Sequence, residues 1–210
     1  FYSSGNARFG YSVAIDGNTI VVGACEDDSV SYNAGAAFVF VLSEGRWTQA
    51  QKIVAPDATA AGRFGFSVLV SGDTLVVGAL GDDDAGSFSG SAYIYRTNGT
   101  IWDFAQKVVA SDAAAEARFG SSVALLSGNQ LQLVVGAYGD DTWRGSAYVY
   151  KLGYCAEMAM SDAAGDGWNG AFYSFTSVTS GEEETGTLAL GSSGSDEVCL
   201  LDGCYTFEVV

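Results

Sequence analysis

Pairs of adjacent aspartates recur along the first two thirds of the chain and are the residues best suited to bind a cation. The pairs are Asp27-Asp28, Asp82-Asp83 and Asp140-Asp141, and Asp84 extends the second. Hard cations such as Ca²⁺ take several oxygen ligands, so Asp82, Asp83 and Asp84 are candidate metal ligands. The alternative is that these carboxylates accept backbone N–H bonds and hold a loop in shape. Because each loop lacks the spaced ligand series of a Ca²⁺ loop, the sequence favours the loop-shaping role.

A second acidic segment lies near the C-terminus. Asp162, Asp166 and Asn169 surround two glycines and could converge on one Ca²⁺ ion, although their spacing differs from the EF-hand pattern. A turn stabilised by Asx hydrogen bonds around a packed Trp168 would explain the same residues. Both interpretations stay open at the level of sequence.

The residues needed for the common hydrolytic mechanisms are scarce. The chain has no histidine, which excludes Ser-His-Asp and Cys-His catalysis. Glycoside hydrolysis needs two carboxyl groups about 5–10 Å apart across a cleft, whereas the aspartates here are adjacent and repeated. We therefore predict no catalytic residues and expect that the chain is not an enzyme.

The charge balance excludes several classes of partner. The 210 residues include 9 Lys+Arg and 25 Asp+Glu, for a formal net charge of −16. Nucleic-acid binding and polybasic membrane anchoring both need clustered cations, which are too few here. No run reaches the roughly 18 apolar residues of a membrane helix, so we expect no membrane insertion.

Four cysteines and one glycosylation sequon together favour an extracellular location. Cys199 and Cys204 flank a short turn and could form a disulfide across a hairpin, while Cys155 could pair with either of them. Cys25 is either a buried free thiol or a disulfide partner. The sequon places a candidate glycan on Asn98, in a predicted turn.

Internal repetition predicts the architecture. Phe9-Gly10, Phe64-Gly65 and Phe119-Gly120 recur at intervals of 55 residues, and a Val-Val-Gly-Ala segment follows each of them. Each copy predicts short antiparallel strands joined by tight turns, with a polar outer strand at Trp47–Lys52 and Trp102–Lys107. Four-stranded units at this period are typical of β-propeller blades.

The Phe-Gly and Gly-Ala signatures resemble the FG-GAP repeat, the blade of integrin α-chain propellers and of many secreted proteins. The resemblance covers residues 1–152, with repeats near 9–63, 64–118 and 119–151. It implies an all-β fold with an incomplete ring, because a closed propeller needs about 4–8 blades. The third copy lacks its outer strand. Calcium-binding members carry an Asp-rich loop between the first two strands, where this sequence has a tight turn, so that site is not expected here.

The remaining residues, 153–210, resemble an extracellular module with the pattern Asp-x-x-Gly-Asp-Gly-Trp-Asn-Gly. Residues 162–170 match this pattern, and Gly203-Cys204-Tyr205 matches the final strand of the module. The resemblance implies a β-sandwich-like unit that stops early at Val210. We expect both ends of the sequence to be cut from a longer protein.

These observations predict a non-catalytic, extracellular structural or adhesive component of a larger surface, filament or cell-wall protein. The expected partners are other subunits or further blades of the same chain, with glycans as a further class. The alternative is a Ca²⁺-dependent adhesion receptor that binds glycans or proteins. A glycan-cleaving enzyme is a further alternative, which the sequence favours less than the other two. No cofactor is expected with certainty, and Ca²⁺ is the candidate.

Overall fold

The computed structural model describes most of the repeat region with its side chains and parts of the C-terminal region as strands. The side chains are described for residues 7–126, 131–140 and 144–152, and the additional strands cover residues 156–161, 172–177, 183–187, 194–200 and 203–209. The chain divides into two compact units, Phe1–Tyr150 and Lys151–Val210. The predicted all-β fold is confirmed, and the three blades do not close a ring.

The first unit consists of three antiparallel sheets in chain order, one for each sequence repeat. Blade 1 contains β1 (Phe9–Asp16), β2 (Thr19–Ala24), β3 (Ala36–Ser43) and β4 (Arg46–Ile53). Blade 2 contains β5 (Phe64–Ser71), β6 (Thr74–Ala79), β7 (Ser91–Thr97) and β8 (Trp102–Val108). Blade 3 contains β9 (Phe119–Leu126), β10 (Leu131–Ala137) and β11 (Ser146–Leu152). Each sheet is a simple meander, as expected for consecutive hairpins.

The C-terminal unit forms one three-stranded antiparallel sheet and one hairpin. The sheet contains β12 (Ala156–Ser161), β13 (Phe172–Ser177) and β14 (Glu183–Thr187), and the hairpin contains β15 (Gly194–Leu200) and β16 (Gly203–Val209). Glu183 and Glu184 belong to β14 and pair with Thr176 and Phe175 of β13. The β-sandwich-like packing of this unit stays a prediction.

The Phe-Gly signature forms a β-bulge at the start of each blade. In blade 2, Phe64 pairs with Ala79 and the next paired residue is Ser67, so the register shifts at Gly65. Gly65 has φ of 87°, a left-handed conformation that glycine adopts without a Cβ penalty. The same bulge occurs at Gly10 and Gly120, with φ of 91° and 84°. The bulge turns the glycine carbonyl out of its own sheet and towards the preceding blade.

The Gly-Ala signature receives that carbonyl in the neighbouring blade. A Cβ added to Gly23 would overlap the carbonyl oxygen of Gly65, and one added to Gly78 would overlap that of Gly120. The serine two residues after each Phe-Gly glycine stabilises the same contact through a hydrogen bond to the carbonyl of the next blade. Ser12 Oγ donates to Gly65 O at 2.8 Å, and Ser67 Oγ donates to Gly120 O at 2.7 Å. The two signatures are thus the two halves of one blade-to-blade joint.

Apolar packing between blades surrounds this joint. Residues of blade 1 such as Val21, Val39 and Ile53 share one buried cluster with Phe64 and Tyr93 of blade 2. The chain also pairs directly across the interface, through parallel bridges from Gly35 to Phe64 and from Gly90 to Phe119. Burial of this apolar surface is the main stabilising contribution to the stacked blades.

Besides the glycine joint and the apolar packing, a side chain on the outer strand of blade 1 forms hydrogen bonds to blade 2. Gln51 in β4 donates from Nε2 to Trp102 O at 2.9 Å, and its Oε1 accepts from Trp102 N at 2.8 Å. The amide thus satisfies both backbone groups at the start of β8. Trp102 itself is buried, so it packs rather than offering an exposed surface for stacking on a ligand.

Candidate functional site

The loop that follows each Gly-Ala segment is closed by its first aspartate. The backbone carbonyl of Asp27 accepts from Gly35 N at 2.9 Å, and that of Asp82 accepts from Gly90 N at 2.9 Å. Their carboxylates accept further N–H bonds, from Ser29 N to Asp27 Oδ1 at 2.9 Å and from Asp84 N to Asp82 Oδ1 at 3.2 Å. These bonds are the loop-shaping interactions that the sequence favoured.

Three carboxylates meet around one ammonium group in blade 2. Lys107, on outer strand β8, places Nζ 2.7 Å from Asp57 Oδ2 and 2.9 Å from Asp82 Oδ2, and also contacts Asp84 Oδ2. Tyr93, on β7, places its hydroxyl 2.7 Å from Asp57 Oδ1 and 2.6 Å from Asp82 Oδ2. We call Asp57, Asp82, Asp84, Tyr93 and Lys107 the blade-2 cluster. Its carboxylate oxygens lie within 4.8 Å of one another, close enough to share one cation.

Within the blade-2 cluster, the pKa values of Asp57, Lys107 and Tyr93 are shifted from their ordinary values. Burial by itself raises the pKa of the Asp57 carboxyl, but hydrogen bonds from Lys107 and Tyr93 outweigh it and hold that pKa below its ordinary value. Burial likewise opposes the charged form of Lys107, yet hydrogen bonds to the three carboxylates raise its pKa above the ordinary value. Burial and the two neighbouring aspartates raise the pKa of Tyr93, which therefore stays protonated.

Blade 1 carries a simpler version of the same arrangement. Lys52, on β4, places Nζ 2.9 Å from Asp27 Oδ1 and 2.8 Å from Ser29 Oγ. Phe38 occupies the position of Tyr93, and the Lys52 ammonium lies 5.1 Å from the centre of its ring. Asp28 accepts from Asn33 N at 2.6 Å and so stabilises the loop.

Blade 3 repeats the tyrosine and its two aspartates. The hydroxyl of Tyr148 lies 2.7 Å from Asp112 Oδ1 and 2.9 Å from Asp140 Oδ2. Burial and these two carboxylates raise the pKa of Tyr148. The aspartate after the outer strand and the aspartate after the Gly-Ala segment therefore converge on the third strand in both blades 2 and 3.

The structure brings together two of the three clustered aspartates that the sequence offered as metal ligands. Asp82 and Asp84 belong to the blade-2 cluster, whereas Asp83 is exposed and lies outside it. Asp57 supplies the third carboxylate, and sequence reasoning missed it. Its signal was the repeat itself, since Asp57 and Asp112 are separated by the same 55 residues as the Phe-Gly pairs. Asp162, Asp166 and Asn169 lie outside the described residues.

The other candidate residues have the following positions. Cys25 is a buried free thiol, which is the first of the two alternatives for this residue, and burial followed by the neighbouring Glu26 raises its pKa. Cys199 lies directly opposite Cys204 in the β15–β16 hairpin, a register that suits a disulfide between them. The disulfide itself stays a prediction. Cys155 lies outside the described residues. Asn98 is exposed between β7 and β8, and its Oδ1 accepts from Thr100 N at 3.1 Å.

Calcium would have to displace the ammonium group of Lys107 in order to use the blade-2 cluster. The ammonium lies at hydrogen-bonding distance from all three carboxylates and already supplies the positive charge that they require. The cluster with its lysine therefore does not fit the oxygen-only coordination that Ca²⁺ takes. Asp57 is poorly suited to act as a general acid, because that role needs a carboxyl with a raised pKa and the pKa of Asp57 is lowered.

The ion pair of blade 1 predicts a loss of stability in acid. Burial by itself raises the pKa of Asp27, but hydrogen bonds from Ser29 and Lys52 outweigh it and lower the pKa below the ordinary value of 3.8. Because the pKa of Asp27 is lower in the folded chain than in the unfolded chain, its charged carboxylate stabilises the folded chain at pH values above the ordinary pKa. This stabilisation disappears as the pH falls through the lowered pKa of the folded chain. We expect Asp27→Asn to lower the free energy of unfolding by about 2 kcal/mol at neutral pH, and by progressively less below 3.8.

Urea unfolding at a series of pH values measures this difference. Asp103→Asn is the control, because Asp103 is exposed on the outer strand β8. An Asp27→Asn difference that stayed constant into strong acid would contradict the ion-pair assignment.

Comparison with known proteins agrees with the repeat architecture. A family model described as FG-GAP repeat matches residues 3–40, 47–95 and 102–150. The second and third matches begin on the outer strand of one blade and end on the third strand of the next, so the family unit is offset by one strand from the sheet. No curated protein shows a significant match. No helix in the described part of the chain is long and apolar enough to span a membrane.

Proposed function

The chain belongs to the FG-GAP repeat family, and from this premise we propose that it is a non-catalytic structural or adhesive segment of a larger extracellular protein. FG-GAP repeats are found in adhesion and extracellular proteins such as integrins. In this proposal the blades are a scaffold that presents loops and blade faces to other proteins. A disulfide between Cys199 and Cys204, which are register partners in the β15–β16 hairpin, and a glycan on Asn98 would both agree with an extracellular location.

The observation that carries the proposal is the pairing of the acidic residues with lysines inside the scaffold. Lys52 and Lys107 each come from an outer strand and bind aspartates of the loop that follows the Gly-Ala segment. An enzyme that used these carboxylates would need at least one of them free to meet a substrate. Here they connect the outer strand to the loops, which is a structural role.

The expected partners are other subunits or further FG-GAP blades, with glycans as a second class. The net charge of −16 argues against nucleic acid as a partner and against binding to anionic membrane surfaces. Exposed apolar side chains at the first and last described blades support contacts with proteins.

A Ca²⁺-dependent adhesion receptor is the second candidate. It is favoured by the convergence of Asp57, Asp82 and Asp84 within 4.8 Å. We place it behind the structural role because Lys107 neutralises these carboxylates. A glycan-cleaving enzyme stands further behind, since it needs a carboxyl with a raised pKa facing a second one across a cleft.

Labelling of intact cells tests the proposed function. An antibody raised against the purified chain should label non-permeabilised cells or the extracellular matrix of the source organism. An antibody against a cytosolic protein should label the same cells only after permeabilisation. Labelling by the first antibody that also requires permeabilisation would overturn the extracellular assignment.

A further inference from the structure

The turn between β7 and β8 contains a second kind of modification site at Asn98, which depends on the residue that follows it. That residue is Gly99, and both residues are exposed to solvent. The backbone nitrogen after an asparagine attacks the side-chain Cγ most easily when it belongs to glycine, because no Cβ then crowds the approach. Such an attack closes a cyclic imide and begins spontaneous deamidation.

Two hydrogen bonds within the turn engage the atoms that would react. Thr100 N donates to Asn98 Oδ1 at 3.1 Å, and Gly99 N donates to Thr97 Oγ1 at 3.0 Å. The first bond binds the side-chain carbonyl that is attacked, and the second binds the nitrogen that attacks. These two contacts act on the reaction in opposite directions.

The hydrogen bond from Thr100 favours the attack. As Gly99 N approaches Cγ, negative charge develops on Asn98 Oδ1, and a backbone N–H that already points at such an oxygen stabilises the transition state. The same bond holds the side-chain amide against the backbone of the turn, which keeps the two reacting groups close together.

The hydrogen bond to Thr97 opposes the attack. Gly99 N becomes nucleophilic only when it loses its proton, and donation of the neutral N–H to Thr97 Oγ1 favours the protonated form. Thr97 is half-buried and pairs with Trp102 across the β7–β8 hairpin, so its hydroxyl is held beside the turn.

From these contacts we propose that Asn98 converts spontaneously to aspartate and isoaspartate in the unglycosylated chain, at a rate that the Thr97 hydroxyl limits. Gly99 N bonds to Asn98 Cγ, the Cγ–Nδ2 bond breaks, and Nδ2 leaves as ammonia with the proton that Gly99 N has lost. Water then adds to one imide carbonyl and opens the ring. Addition at the side-chain carbonyl gives aspartate, and addition at the main-chain carbonyl gives isoaspartate.

This inference goes beyond the proposed structural role and gives Asn98 two mutually exclusive modifications. A glycan is attached to Nδ2, the atom that deamidation expels, so a deamidated chain has lost its acceptor for the glycan. Deamidation also adds a negative charge to a chain that already carries −16. Isoaspartate lengthens the main chain by one carbon ahead of Trp102, the residue that Gln51 of blade 1 binds.

Peptide mapping of the full chain, produced without glycosylation and incubated at mildly alkaline pH, tests the proposal. Mass spectrometry with electron-transfer fragmentation distinguishes asparagine, aspartate and isoaspartate over time. Asn18 is the internal control, because it is also exposed in a hairpin turn but precedes Thr19 instead of glycine. The variants are Thr97→Val, which removes the hydroxyl, and Thr97→Ser, which keeps it, with circular dichroism as the check on folding.

The expected result is the appearance of both products at Asn98 while Asn18 stays unchanged over the same period. Thr97→Val should accelerate the conversion about fivefold, which corresponds to a hydrogen bond of about 1 kcal/mol. Thr97→Ser should convert at the wild-type rate.

Two kinds of result would overturn the proposal. An Asn98 that stays intact, or that converts no faster than Asn18, would exclude the modification. An unchanged rate in Thr97→Val, or an accelerated one in Thr97→Ser, would exclude control by the Thr97 hydroxyl. Failure of the antibody to label the cell exterior would reject only the proposed function, because deamidation requires nothing but the turn and water.

Discussion

Alanine at Gly78 should separate blades 2 and 3 and lower the free energy of unfolding by about 3 kcal/mol. The added Cβ would overlap the carbonyl oxygen of Gly120, a backbone atom that cannot move unless the whole of β9 moves with it. It would also displace Ser67 Oγ, which donates to the same carbonyl. Since 1 kcal/mol shifts the Tm of a domain of this size by about 2–4 °C, the Tm should fall by about 6–12 °C. Thermal unfolding followed by circular dichroism measures it.

The matched control is Gly136→Ala, at the same position of blade 3. There the Cβ would meet Ser122 Oγ, a rotatable side-chain atom, and the three described atoms nearest to it all belong to side chains of blade 3. We expect a loss below about 1 kcal/mol. Equal losses at the two positions would show that the close approach of Gly120 is not what requires glycine.

Methionine at Lys107 should destabilise the chain and create a response to calcium. The substitution keeps an unbranched side chain but removes the charge that neutralises Asp57, Asp82 and Asp84. Because Asp82 is buried and would lose its cation, we expect a loss of about 2–3 kcal/mol in the free energy of unfolding without Ca²⁺. Added Ca²⁺ should then raise the Tm of the variant, since three carboxylates within 4.8 Å would bind it in place of the ammonium.

Lys52→Met separates the effect of calcium from the effect of losing a lysine. Lys52 pairs with the single carboxylate of Asp27, so this variant should lose stability without gaining a response to Ca²⁺. The wild-type blades should show little change in Tm between Ca²⁺ and a chelator. A wild-type chain that Ca²⁺ stabilised as strongly as the Lys107→Met variant would favour the adhesion-receptor alternative.

The strands and turns of the blades could be predicted because their signals are local. The two-residue turns at Gly17-Asn18 and Gly72-Asp73 have the residues that such hairpins require, and the register confirms both. The Val-Val segments of blades 1 and 2 are buried and apolar on both faces, as central strands require.

The members of the blade-2 cluster could be predicted only in part because they come from four separate segments. Asp82 and Asp84 belong to one loop and were found together. Asp57 follows the outer strand of blade 1, while Lys107 lies on the outer strand of blade 2, 50 residues later. Nothing in local composition links these positions, and the packing of one blade on the next brings them within hydrogen-bonding distance.

The sequence by itself determined the repeat, the strand order within each blade and the acidic character of the loops. These properties depend on residue type and short spacing, and therefore on local backbone preference and the alternation of apolar side chains. Only the tertiary structure decided that Phe-Gly and Gly-Ala form one joint and that lysines from outer strands neutralise the aspartates. It also decided which faces remain exposed, since burial depends on the blade that lies alongside.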